Sequence, residues 1–155
     1  MTDYINVGRR EEMESRISKS FKWSEFTKSD TATRLHIQNE IVDWDVRDNI
    51  KALVENLLQP LRDVWGGPLF INSGYRCPEL NKAVGGVPTS QHAKGQAADV
   101  GVTDPYALAK AVKSMKVEFD QMILYPDFLH LSYRDDGENR GQILYNKKWK
   151  GPKDL

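Results

Sequence analysis

The sequence predicts an α+β fold, with helices first and a small, mainly antiparallel sheet after them. Two observations carry this. Apolar residues recur at three- and four-residue spacing through Asp45–Trp65, and the later part of the chain falls into short apolar runs separated by turn residues. Helices followed by adjacent strands are the α+β pattern. A chain of 155 residues is sized for one domain around one core. Residues 1–20 mix both signs of charge without period and are expected to be a peripheral arm of that domain.

Taken in order, Phe21-Lys22-Trp23-Ser24-Glu25-Phe26 is too aromatic for a free tail and is expected to pack on the body. In the long helix, Val46, Ile50, Leu53, Val54, Leu57, Leu58, Leu61 and Val64 form the apolar stripe. Pro60 is expected to kink or divide it, and Gly66-Gly67-Pro68 to end it. Leu69–Asn72 reads as a short buried strand, Pro78–Val84 as a short helix and Gly85–Thr89 as a flexible loop. Ala97–Val102 reads as a strand. Asp104 and Pro105 then open a helix as N-cap and first helical residue, with Leu108, Ala111, Val112 and Met115 as its stripe. Strands at Phe119–Tyr125, Phe128–Tyr133 and Gln142–Tyr145 close the chain, with Asp135–Glu138 as the expected last hairpin turn.

Composition narrows the function classes. Twenty-two basic residues balance 22 acidic ones, which removes the usual electrostatic case for binding nucleic acid or an anionic membrane. One cysteine, Cys77, excludes an internal disulfide framework and a cysteine-rich zinc site. No apolar run has signal-peptide or transmembrane length. The expectation is a soluble monomer made in the cytoplasm, reaching any outside target only by release.

The chemistry concentrates in Ser90-Gln91-His92-Ala93-Lys94-Gly95-Gln96-Ala97-Ala98-Asp99. Asp99 sits in an otherwise apolar strand, and a buried carboxylate is costly unless it is paired or binds metal. Imidazole nitrogen and carboxylate oxygen are ordinary zinc ligands. Gly95 lets the backbone turn so that His92 returns beside Asp99. Further on, strand alternation puts Phe128, His130 and Ser132 on one face and Leu129, Leu131 and Tyr133 on the other. Two histidines and an aspartate with a water in the fourth position make a catalytic zinc site. From the residues alone a plainer reading stands beside this one: His130 as an ordinary strand histidine, and Asp99 capping the turn near Thr103 or pairing with Arg76.

Five segments occur in order: Ser73-Gly74-Tyr75-Arg76, Leu80-Asn81-Lys82-Ala83-Val84-Gly85-Gly86, the Ser90–Asp99 stretch, Val117-Glu118-Phe119-Asp120-Gln121 and Phe128-Leu129-His130-Leu131-Ser132. This set resembles the zinc D-alanyl-D-alanine carboxypeptidase family of peptidoglycan peptidases, especially its compact phage-endolysin branch. The resemblance reaches back to Ile17–Phe26. It implies the fold shared with the hedgehog signalling domain, a small antiparallel sheet with helices on one side. It implies zinc held by His92, Asp99 and His130, and cleavage of peptide bonds in cell-wall stem peptides or cross-links, often beside D-alanine. A protein of this kind would act on the wall as a released phage lysin or recycle wall peptides inside the cell.

The remaining roles combine chemistry with that resemblance. Arg76 is expected to stabilise an oxyanion or hold a substrate carboxylate, against a plainer pairing with Glu79. Ser90, with Gln91 and Tyr75 of the same motifs, is a candidate for substrate binding, and Ser90 is equally a turn residue or a support for the ligands. Relatives carry an acidic residue three positions before the last zinc histidine, which makes Asp127 the expected general base. Its strand parity is opposite to that of His130, so it reaches zinc only from a turn, and Asp120 is the reserve. Phe128 stands where the carboxypeptidase branch has a second histidine, which leaves the bond specificity open. Cys77 has no Cys/His motif and His36 no metal-spaced partner, so neither is expected to do chemistry. Two other classes remain: a non-catalytic zinc-containing binding or virion-structural module of this fold, and a thiol hydrolase built on Cys77.

Overall fold

The computed structural model describes residues 15–155. Residues 1–14 of the expected arm lie outside the described residues. The rest of the arm is tied down, because Ser20 exchanges two hydrogen bonds with the Gln59 amide, each 3.0 Å.

The helices are α1 (Trp23–Thr27), α2 (Asp30–Leu35), α3 (Trp44–Leu53), α4 (Gln59–Trp65), α5 (Pro78–Ala83) and α6 (Pro105–Met115). The strands are β1 (Phe70–Ser73), β2 (Ala97–Gly101), β3 (Gln121–Leu124), β4 (Phe128–Ser132) and β5 (Gln142–Tyr145). Phe21 and Phe26 are buried edge-to-face, as their aromatic cluster implies. Asp104 caps α6 through the Ala107 N–H at 3.0 Å, with Pro105 just inside. Helix α2 carries no apolar stripe that would announce it; Ser29 caps its start and His36 closes it in the left-handed region, φ 56°.

Pro60 neither breaks nor ends the long helix. A π-helical segment, Val54–Leu58, joins α3 to α4 immediately ahead of it, so the N–H that proline lacks is accommodated by a change of hydrogen-bond register. The residue inserted by a π turn rotates the following face by about 100°. Val64, expected in the stripe, is therefore turned out and 60% exposed, while Leu61 is fully buried. Gly66, at φ 77°, ends α4.

The five strands are ordered β1-β2-β4-β3-β5. All neighbours are antiparallel except β3 and β5, which run parallel. This corrects the expected last hairpin. A turn does form at Asp135–Asp136, but both sides of β4 are already taken by β2 and β3, so β5 joins the outer edge of β3. Alternation divides the sheet. Ala98, Val100, Met122, Leu124, Leu129 and Leu131 are fully buried in one core with the apolar stripes of α3, α4 and α6. The other face carries Asp99, His130 and Ile123 side by side, since Asp99 pairs with His130 and His130 with Ile123. No helix among the described residues is long and apolar enough to cross a membrane.

Candidate metal centre

Sheet pairing builds half of the site. Asp99 on β2 and His130 on β4 are direct cross-strand partners on the same face, where side chains approach closely. His130 Nδ1 lies 2.8 Å from Asp99 Oδ1. The third member comes from the loop before β2: His92 Nε2 is 3.3 Å from the same oxygen. The three side chains are 4%, 17% and 13% exposed for His92, Asp99 and His130.

Several local interactions bring His92 there. Its Nδ1 lies 2.7 Å from the Gly74 carbonyl, which holds a proton on Nδ1 and turns Nε2 toward Asp99. Its own carbonyl accepts the Arg76 N–H at 3.1 Å, so the Ser73–Arg76 segment and the histidine loop are stitched from both sides. Ser90 Oγ accepts the His92 N–H at 3.2 Å. Gly95 has φ 75° and lies against α3, where an added Cβ would stand 2.7 Å from the Val46 carbonyl. Gly74 is equally constrained, because a Cβ there would stand 2.8 Å from the backbone of Phe26 in α1.

Burial by itself would raise the Asp99 carboxyl, but hydrogen bonds from His130 and His92, with their charge, outweigh it and hold the group well below the usual carboxylate range. The donor atoms of His92, Asp99 and His130 all lie within 4.8 Å of one another. Two imidazoles, one with its proton pinned on a carbonyl, and one ionised carboxylate form a donor set that fits zinc.

The cluster opens into a cavity of about 530 Å³ lined also by Arg76, Ser90, Gln91, Gln121, Tyr125 and Arg140. Burial lowers the Arg76 guanidinium, and the nearby Asp99 charge opposes that shift. Arg76 Nε is buried without a hydrogen-bond partner, as is Asn81 Oδ1 beside it. Asn81 also donates to the Val87 carbonyl at 2.7 Å and so shapes the loop that walls the cavity. Gly86 leaves room for this pair: a Cβ there would stand 2.2 Å from Asn81 Oδ1 and 3.2 Å from Arg76 Nη1.

The structure thus brings Arg76, Ser90 and Gln91 into the cavity that holds the three expected ligands, and Tyr75 and Asp127 are not in its lining. Tyr75 packs against the core, 6% exposed, and lines a neighbouring cavity with Arg76 and Asp99. Asp127 lines a different cavity, with Trp65, Pro68, Phe70 and Val102, because the turn it occupies lies beyond the end of the Asp99–His130 pairing. Asp120 is fully buried. Both its oxygens accept hydrogen bonds from Arg140, one also accepts from Gln91, and the Arg140 pairing foremost holds its carboxyl down at about 2. Sequence reasoning missed Ile123, Tyr125 and Arg140. Strand parity with His130 could have found the first two; nothing local marks Arg140.

The model of the family described as Peptidase M15 matches residues 19–132. The chain belongs to the peptidase M15 family. As an M15 peptidase it shares a zinc-dependent peptidase chemistry to which its His92–Asp99–His130 cluster is suited. The match takes in both histidine motifs and the Ser73–Arg76 turn, and it stops before Arg140. No curated protein matches the chain.

Proposed function

We propose that this M15 peptidase uses zinc to hydrolyse an amide bond in bacterial peptidoglycan, in the stem peptides or their cross-links. The observation that carries the reading is the convergence of His92, Asp99 and His130 at the floor of a cavity that also holds Arg76. Those three side chains would hold the metal. When bound, zinc supplies Lewis acidity to the scissile carbonyl and to the attacking water. Arg76, which lines the cavity beside the ligands, donates to the oxygen on which negative charge develops. Ser90 keeps the His92 backbone in place, and Gln91 faces the same cavity. Tyr125, whose phenol is raised by burial, stays protonated and offers a hydrogen bond to the substrate.

A second reading, a zinc-containing binding or virion-structural module without turnover, is favoured by one observation. Apart from Asp99, no carboxylate among the described residues lines the cavity, so no side-chain carboxylate stands ready as general base. Digestion of purified peptidoglycan by the zinc-loaded protein separates the two. New peptide termini found by mass spectrometry, and lost on chelation, support the peptidase. An unchanged wall with zinc still bound supports the module.

A further inference from the structure

Arg140 lies beyond residue 132, where the family match ends, yet its side chain lines the metal-site cavity. Asp120 fixes it from behind. Arg140 donates from Nε to Oδ1 at 2.9 Å and from Nη2 to Oδ2 at 2.8 Å, and its backbone N–H reaches Oδ1 at 3.0 Å. Gln91, the neighbour of His92, donates to Oδ2 at 2.8 Å. Asp120 is 0% exposed and cannot follow a guanidinium that swings away, whereas the Arg140 side chain is 51% exposed.

This side-on pairing occupies one edge of the guanidinium. Nη1 and the second hydrogen of Nη2 form the other edge, and no partner among the described residues takes Nη1. A planar fork with one edge pinned and one edge free is preorganised for a second carboxylate. The rest of the cavity agrees in sign. Among the described residues, Arg76 also lines it, and the only lining carboxylate, Asp99, belongs to the metal cluster.

We propose that Arg140 is a specificity residue that binds a free carboxylate of the peptide substrate through this open edge, with Asp120 as the positioning residue that holds it. The proposal rests on the peptidase reading and narrows its substrate to peptides bearing an acid beside the scissile bond. The acid is either the C-terminal carboxylate or a carboxyl on a glutamate-type residue, and the chemistry at Arg140 is the same for both.

The test uses the zinc-loaded full chain and three forms of one stem peptide: unmodified, amidated at the C-terminus, and amidated at the glutamate-type carboxyl. In the wild type, one amidation lowers kcat/KM by roughly 10- to 100-fold, the scale of a charge-assisted pair, and which amidation does so names the carboxylate. In Arg140→Gln, KM for the unmodified peptide rises by a similar factor and the acid–amide difference disappears. Arg140→Gln strands the buried Asp120 carboxylate, so Asp120→Asn combined with Arg140→Gln is the companion variant; it removes both charges and loses the same discrimination. Calorimetric binding of the same peptides to the metal-free protein gives a readout independent of turnover, with the acid binding tighter than the amide only when Arg140 is present. Hydrolysis with equal discrimination in wild type and variants overturns the role of Arg140 and leaves the peptidase reading standing. Acid-selective, Arg140-dependent binding without hydrolysis of any peptide keeps the role and overturns the peptidase reading.

Discussion

Substituting Gly95 by alanine separates two kinds of constraint on the loop that delivers His92. The residue sits at φ 75°, and an added Cβ would stand 2.7 Å from the Val46 carbonyl and 3.0 Å from the Val46 and Ile50 side chains. A left-handed conformation costs an alanine roughly 1–2 kcal/mol over glycine. Crowding a packed interior adds about 1–3 kcal/mol more, and here the nearest atom is backbone and gives little. The expected loss for Gly95→Ala is therefore about 2–5 kcal/mol. Gly137 supplies the control: its φ is 81°, and nothing stands within 4 Å of an added Cβ. Gly137→Ala should lose only the conformational part, about 1–2 kcal/mol. Urea unfolding of both variants at fixed zinc measures the difference, with midpoints compared at unchanged slope. Because α3 must yield for the loop to stay in place, Gly95→Ala should also weaken zinc binding while Gly137→Ala does not. Equal stability losses in the two variants would refute the argument, since they would mean that α3 does not brace the loop.

Removing any one of His92, Asp99 or His130 by alanine should abolish tight zinc binding, because two remaining protein ligands hold the metal poorly; elemental analysis after dialysis reads this directly. Arg76→Ala should keep zinc and lower turnover on the order of 100-fold, and Arg76→Lys should recover only part; full activity in Arg76→Ala would reduce the residue to a structural one. The Asp120 carboxyl falls from an ordinary 3.8 to about 2 on folding, so its pairing with Arg140 stabilises the fold above pH 4 and is lost as pH falls toward 2. With allowance for the water-facing Arg140, the stability gap between wild type and Asp120→Asn should narrow by about 1–2 kcal/mol over that window, and a gap independent of pH would show that the carboxylate is not paired. Asp127→Asn should leave zinc content and hydrolysis close to wild type, because its side chain lines a separate cavity; a dead variant with zinc retained would show that the turn before β4 reaches the metal.

What the sequence made legible was chemistry that conflicts with its surroundings. An aspartate in Ala97-Ala98-Asp99-Val100 and a histidine between Leu129 and Leu131 stand out because apolar strands do not hold such groups idly. Helix and strand positions were legible for the same reason, since periodicity is a local property. Pairings were not. The Asp135–Glu138 turn has hairpin chemistry, but the neighbours available to β5 are decided by strands far away in sequence. That same arrangement carries Arg140 to Asp120 and the cavity, so a residue with no local signal becomes part of the site. Asp127 is the opposite case. Counting three residues back from His130 is a local rule, and the turn directs that residue to another cavity. The π segment before Pro60 is a smaller case, where one inserted residue turned Val64 out of a stripe that periodicity alone would keep intact.

One register serves both the core and the metal. Pairing Ala98 with Leu131 and Val100 with Leu129 places four apolar side chains against the helices, and the alternate pair in that ladder is Asp99 with His130. A slip of β4 by one residue would turn Leu129 and Leu131 toward the cavity and His130 toward the helices. The hydrophobic core therefore selects the register in which two of the three donors meet, before any metal contributes. Only His92 depends on the loop. Its supports are backbone contacts and steric limits at Gly74, Arg76, Ser90 and Gly95, none of which needs the ion. The donors lie within 4.8 Å of one another on this scaffold. A bound metal would add stability to a fold that its apolar residues specify, unlike a zinc finger, where the metal replaces the core.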